Sequence, residues 1–98
     1  METKIYRVVS QGDVSYIPST KQEGGQLAKC VIRLREFGGG KYGSEYACTM
    51  FGNLALCRFT ENDVVAASLR FHVRDVNGNC YQEVVVNEIF DFSSMIRF

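Results

Sequence analysis

The dipeptide Asn77-Gly78 lies between two runs rich in Val, Phe and Tyr, and this arrangement predicts a β-hairpin. Both residues tolerate the positive φ angles that a two-residue hairpin turn requires. Val and aromatic residues suit the pleated, half-buried surface of a sheet. We therefore expect the longest sheet element of the chain to be this hairpin, with strands Val64–Val76 and Cys80–Phe92.

Composition limits the classes of protein to which the chain can belong. Its 98 residues are 46% hydrophobic and 22% charged, which indicates one globular domain and excludes a disordered chain. The formal net charge is zero, so a polybasic binder is excluded, although a local stripe of cations is not. No apolar run approaches the ~18–20 residues of a membrane span, and the first residues lack the apolar core of a signal peptide. We expect a cytoplasmic protein.

Cysteine and histidine show no spacing that is typical of a metal site. Cys30, Cys48, Cys57 and Cys80 form no C-x-x-C pair, and His72 is not spaced as a zinc ligand. We expect four reduced cysteines, mostly buried, and neither a metal nor another cofactor.

The order of the predicted elements is that of an all-β, five-stranded OB-fold, a small Greek-key barrel. The predicted strands are Thr3–Ile17, bent at Gly12-Asp13, then Leu27–Phe37, Ser44–Phe51, Val64–Val76 and Cys80–Phe92. A short helix, Leu54–Phe59, lies between the third and fourth strands, and Asn53 is predicted to cap it. The OB-fold domain is expected to cover residues 1–92, with residues 93–98 as a tail.

Alternation along the strands predicts which side chains enter the core. The expected inner residues are Ala28, Cys30, Ile32 and Leu34 on the second strand, Tyr46, Cys48 and Met50 on the third, and Val65, Ala67, Leu69, Phe71 and Val73 on the fourth. The opposite faces are rich in cations with aromatic rings among them, which is not the pattern of a plain solvated surface.

No catalytic constellation is visible in the sequence. A triad would have to use His72, and no nucleophile motif accompanies it. Glu83 and Glu88 are expected to be solvated strand charges. We therefore expect a protein that is not an enzyme.

Binding of single-stranded nucleic acid fits the outer faces better. Cations follow phosphates, and aromatic rings stack on unpaired bases. The candidate nucleic-acid-binding residues are Lys29, Arg33, Arg35, Phe37, Lys41, Tyr42, Phe51, Arg70, His72 and Arg74. Two alternatives stay open: the same face could hold a protein partner or a second subunit, or an oligosaccharide, for which the arginines are harder to explain.

From the third strand onward, the chain resembles the bacterial single-stranded-DNA-binding protein family. The matching pieces, in order, are Phe51-Gly52, Asn53-Leu54-Ala55, Asn62-Asp63-Val64-Val65, Leu69-Arg70, Asn77-Gly78 and the run Tyr81 to Asn87. The resemblance covers roughly the last half of the chain, and small OB-fold proteins related to that family share some of these features.

The resemblance implies single-stranded DNA (possibly RNA) as the partner, a homodimer or homotetramer, and no catalysis or cofactor. By position, Phe51 matches a base-stacking Phe of the family, and Arg70 matches a basic residue on a strand that carries DNA contacts. The chain departs from the family in having no Trp and in ending without an acidic tail. In the family that tail recruits replication and repair partners, so a stand-alone binder is expected.

Overall fold

A computed structural model describes residues 3–18, 25–38 and 43–91 of the chain. Its elements are β1 (Thr3–Gln11), β2 (Ser15–Pro18), β3 (Gln26–Glu36), β4 (Glu45–Phe51), α1 (Asn53–Leu56), β5 (Val64–Val76) and β6 (Asn79–Asp91). The predicted order is confirmed, with the first predicted strand divided into β1 and β2 at its expected bend. The predicted tail, residues 93–98, lies outside the described residues.

Five of the six strands close into a ring, and β2 extends the sheet by pairing with β3. The sheet order is β1-β5-β6-β4-β3-β2, and a further pairing between β1 and β3 completes the barrel. On β1, Tyr6 pairs with Val65 on one side and with Glu36 on the other. Strands β4 and β6 run parallel and meet at a single pair, Thr49 with Val85. This strand arrangement, with the helix between β4 and β5, is the predicted OB-fold.

The core lies between the inner faces of β3 and β4 and the first half of β5. The expected inner residues of β3 are all buried, and Ile32 and Leu34 have no exposed surface. On β4, Cys48 and Met50 are equally inaccessible. The half-buried Tyr46 packs against this cluster, with its ring edge-on to Tyr6 at 6.2 Å between centroids. Alternation therefore predicts these two strands correctly.

On β5 the predicted inner face is wrong beyond Leu69. Phe71 and Val73 are 50% and 57% exposed. The cause is that β1 pairs with β5 only from Val64 to Ser68, so the rest of the β5–β6 hairpin projects past the barrel. The Phe71 ring still lies edge-on to the half-buried ring of Tyr46, at 5.9 Å between centroids.

The first half of β5, by contrast, is buried on both faces. Val64, Ala66 and Ser68 belong to the outer face by alternation, yet each is buried. Ala66 pairs with Ile5 on β1 and with Phe90 on β6, and these larger neighbours cover its small side chain. In the described part of the chain, the strands on either side of β5 flank these residues.

The predicted turn of the hairpin is confirmed. Asn77 and Gly78 both have positive φ angles, 51° and 81°, and Val76 pairs directly with Asn79. Two consecutive positive φ angles match the turn type whose twist suits a two-residue hairpin.

The helix is shorter than expected, and its predicted cap is wrong. It spans Asn53–Leu56, preceded by Gly52 at φ 64°, and no side chain caps its first turn. The segment after it is held by Gln11, which donates to the Cys57 carbonyl and accepts from the Phe59 amide, both at 2.8 Å.

The cysteines divide into two classes. All four are free; Cys30 and Cys48 are buried as expected, whereas Cys57 and Cys80 are exposed. The expectation of mostly buried cysteines is therefore correct for Cys30 and Cys48 and wrong for Cys57 and Cys80. Within the described ranges, no helix is long and apolar enough to cross a membrane.

Candidate nucleic-acid interface

The β3–β4 face is the outer surface of these two strands, built from alternate residues in direct register. Lys29 pairs with Phe51, Val31 with Thr49, Arg33 with Ala47 and Arg35 with Glu45. Because the opposite face of each strand is buried in the core, these side chains have only the outer surface available. One cation of β3, Lys29, therefore lies beside the Phe51 ring of β4, and Arg33 and Arg35 follow along the same face.

The same surface continues across β6 to β5. Thr49 pairs with Val85 on β6, and Val85 pairs with Arg70 on β5. These pairings place Arg70 in one row with the β3–β4 face, and the Arg70 side chain is exposed. Farther toward the hairpin turn, His72 pairs with Glu83. The register thus joins the predicted cations of the second and fourth strands into one surface.

Two acidic side chains, Glu45 and Glu83, form ion pairs with cations of this surface. One of these cations is Arg74, which pairs with Tyr81 nearer the turn. Glu45 forms an ion pair with Arg33, whose side chain is 54% exposed. Glu83 Oε2 lies 2.8 Å from His72 Nε2 and 3.8 Å from Arg74 Nη1. Only 20% of the Glu83 side chain is exposed, so the prediction that it is a freely solvated charge is wrong.

The two predicted stacking rings of the strands lie far apart. Phe51 is half-buried beside Lys29, near one end of β3. Phe37 follows the other end of β3 and is 48% exposed. Measured along the strand, at about 3.3 Å per residue, ~26 Å of β3 lies between Lys29 and Phe37. The Arg7 guanidinium covers the Phe37 ring at 5.2 Å from its centroid. Phe51 therefore lies on the β3–β4 face, whereas Phe37 lies beyond the end of β3 with Arg7 over its ring.

Two predicted site residues, Lys41 and Tyr42, lie outside the described residues. The sequence reasoning missed two others, Tyr81 and Glu83, which face the cations of β5. The Asn77-Gly78 turn carried the signal that could have found them. A two-residue turn fixes the register, so each step back along β5 is matched by one step forward along β6.

The described residues hold no group of three or more His, Cys, Asp or Glu side chains that could bind a metal ion. Among their thiols, Cys48 has a pKa raised from 9.0 to about 12 because it is buried. Burial disfavours the thiolate, which is the reactive form, so Cys48 is a packing residue.

Comparison with known proteins bears on the fold. The chain is similar to the second OB-fold domain of replication protein A from Methanococcus maripaludis, a solution NMR structure, with a TM-score of 0.61 and 17% sequence identity. The alignment covers 91% of this chain and 80% of that domain. No family model matches the chain, and no curated protein sequence matches it. The chain has an OB-fold.

Proposed function

We propose that this chain is a non-catalytic binder of single-stranded nucleic acid, with DNA as the first candidate. The observation that carries the proposal is the connected outer surface that runs from the β3–β4 face to Arg70. Phe51 lies on it beside Lys29, and Arg33 and Arg35 continue along the same strand. A half-buried ring offers a rigid platform for a base, and the neighbouring cations offer partners for phosphates.

The structural neighbour, an OB-fold domain of replication protein A, supports the scaffold on which this proposal rests. The alignment with it extends over most of both chains. At 17% identity the likeness establishes the fold alone, so the ligand is argued from the side chains of this chain.

The test is a fluorescence-anisotropy titration with labelled oligo-dT at two salt concentrations, repeated with oligo-rU. Phe51→Ala should weaken binding by ~1–3 kcal/mol because it removes the stacking platform. Phe90→Ala is the matched control. Phe90 is 58% exposed and pairs with Ala66 on β5, where β5 in turn pairs with β1, away from the β3–β4 face. Binding should weaken with salt in every variant.

Two results would contradict this function. An affinity for oligonucleotide that does not change with salt would remove the electrostatic argument. A large drop in the melting temperature of Phe51→Ala, with no selective loss of binding, would show that Phe51 is a core residue and not a stacking platform.

Assembly with a protein partner or a second copy is the alternative use of this surface. Two observations favour it: Val31 is 44% exposed at the centre of the β3–β4 face, and the carboxylates of Glu45 and Glu83 reduce its positive charge. Analytical ultracentrifugation of the wild type and Val31→Lys distinguishes the two functions. Under the assembly alternative, the substitution dissociates the oligomer. Under the nucleic-acid proposal, it leaves the mass unchanged, and the added cation keeps or strengthens oligonucleotide binding.

A further inference from the structure

We propose that a cavity on the β5–β6 hairpin is a subsite for an unpaired nucleobase with an exocyclic amino group, and that it selects cytosine over thymine. This inference rests on the proposed binding of single-stranded nucleic acid. The cavity has a volume of about 350 Å³ and is lined by Arg74, Val76, Tyr81, Gln82 and Glu83.

The lining supplies one partner for each part of a nucleotide. The Tyr81 ring is 54% exposed and offers a stacking surface for a base. Arg74, its cross-strand partner, has a side chain that is 59% exposed and can meet a phosphate. Glu83 supplies a carboxylate, an acceptor for N–H groups. The ligand that matches these three side chains has a flat ring, an anionic group and an amino group, as a nucleotide with an amino-bearing base does.

The carboxylate has a fixed orientation and spare accepting capacity. His72 and Arg74 both approach Oε2 of Glu83, at 2.8 and 3.8 Å. Among the described residues, neither an ion pair nor a hydrogen bond engages Oε1. His72 and Arg74 hold Glu83 in place through Oε2, and Oε1 is left to accept a hydrogen bond from a ligand.

An acceptor at this position separates the two pyrimidines. Cytosine carries an N4 amino group that donates to Glu or Asp, whereas thymine carries the O4 acceptor at the same ring position. Thymine would therefore place its O4 oxygen against a carboxylate oxygen, with no proton between them. The two bases have the same ring size, so Tyr81 stacking favours neither strongly, and the discrimination lies with Glu83.

The cavity lies on the route of a bound strand. Tyr81, Glu83 and Val85 are two residues apart along β6 and therefore share one face of the strand. Val85 lies between Thr49 of the β3–β4 face and Arg70. A strand that stacks on Phe51 and passes Arg70 therefore continues directly onto the hairpin.

The experiment measures the ratio of the affinities for oligo-dC and oligo-dT of equal length, at pH 7.5 and fixed salt. Wild type should bind oligo-dC about fivefold or more tightly, the lower end of the effect of a base-specific contact. Glu83→Gln should bring the ratio close to one, because an amide can donate to thymine as well as accept from cytosine. Glu83→Gln also frees Arg74 to bind phosphate, but this increases the affinity for both oligonucleotides and so cancels in the ratio of affinities. Glu88→Gln, which changes the net charge equally, is the control and should keep the wild-type ratio.

A second measurement distinguishes failure of the subsite from failure of the proposed function. NMR titration with dCMP and dTMP should shift the amides of Arg74, Tyr81 and Glu83 more strongly with dCMP, even if longer oligonucleotides do not bind. Loss of oligonucleotide binding with this response retained would refute only the proposed function. A wild-type ratio near one, a ratio unchanged by Glu83→Gln, or equal shifts with both nucleotides would refute the subsite.

Discussion

Removal of the Glu45 carboxylate should strengthen the binding of single-stranded nucleic acid. Glu45 forms an ion pair with Arg33 on the β3–β4 face. A phosphate that approaches Arg33 must therefore compete with a carboxylate that is already in place. In Glu45→Gln, Arg33 becomes available as a full phosphate partner. Exposed ion pairs contribute only ~0–1 kcal/mol to folding, so we expect the variant to stay folded.

The size of the effect follows from counterion release. For single strands, each neutralised phosphate adds about −0.7 to the slope of log affinity against log salt. One additional phosphate contact at 0.1 M salt therefore strengthens binding about fivefold, and the slope becomes steeper by ~0.7. The gain should shrink as salt increases, because the released counterion is then worth less.

The control is a second acidic residue at a different place on the barrel. Glu88→Gln changes the net charge by the same amount, but Glu88 pairs with Ser68, which in turn pairs with Thr3 on β1. Any general attraction from the added positive charge appears in both variants, whereas the release of Arg33 appears only in Glu45→Gln. Anisotropy titrations at four or more salt concentrations give both slopes. Equal affinities and equal slopes for the two variants would refute a phosphate contact at Arg33.

Two further predictions concern stability. Gln11→Ala removes both hydrogen bonds that hold residues 57–59, and it should lower the free energy of unfolding, measured in urea, by ~1–2 kcal/mol. Gln82→Ala, at an exposed position, is the control and should change the free energy of unfolding little. Equal effects of the two substitutions would refute the role of Gln11. The raised pKa of Cys48 predicts that the thiol contributes to stability fully below pH 9 and that this contribution is lost as the pH rises toward 12, because the unfolded chain releases the proton first. Unfolding of wild type and Cys48→Ala across this range tests the sign, and a steeper alkaline loss in the variant would contradict it. At pH 8 a thiol reagent should modify Cys57 and Cys80 but not Cys48 until the protein unfolds.

The sequence predicts the parts of the fold whose signals are local. Alternation along β3 and β4 identifies the buried set because both strands keep one face on the core over their whole length. The same rule fails at Phe71 and Val73 because burial there depends on the presence of a neighbouring strand, and β1 does not extend that far. A strand's own pattern carries no information about where its partner ends.

For the candidate site, the sequence predicts the exposed residues of each strand but not how the strands bring them together. Arg33 and Arg70 are recognisable from alternation, but their placement on one surface depends on the single β4–β6 pair, which joins segments far apart in the sequence. The separation of Phe37 from Phe51 depends on the way β3 passes from β4 to β1. The pairing of His72 with Glu83, by contrast, follows from the turn at Asn77-Gly78 alone.

The double role of β1 has a consequence for synthesis on the ribosome. Strand β1 pairs with β5, and Thr3 at the start of β1 lies opposite Ser68 of β5. The barrel therefore cannot close until more than two thirds of these 98 residues have been translated. The β3–β4 hairpin needs only neighbouring residues and can form much earlier. A nascent chain therefore carries an incomplete sheet with its apolar inner face uncovered for several seconds at ~5–20 residues per second. Slowed translation before Val64 would prolong this exposure and with it the risk of aggregation.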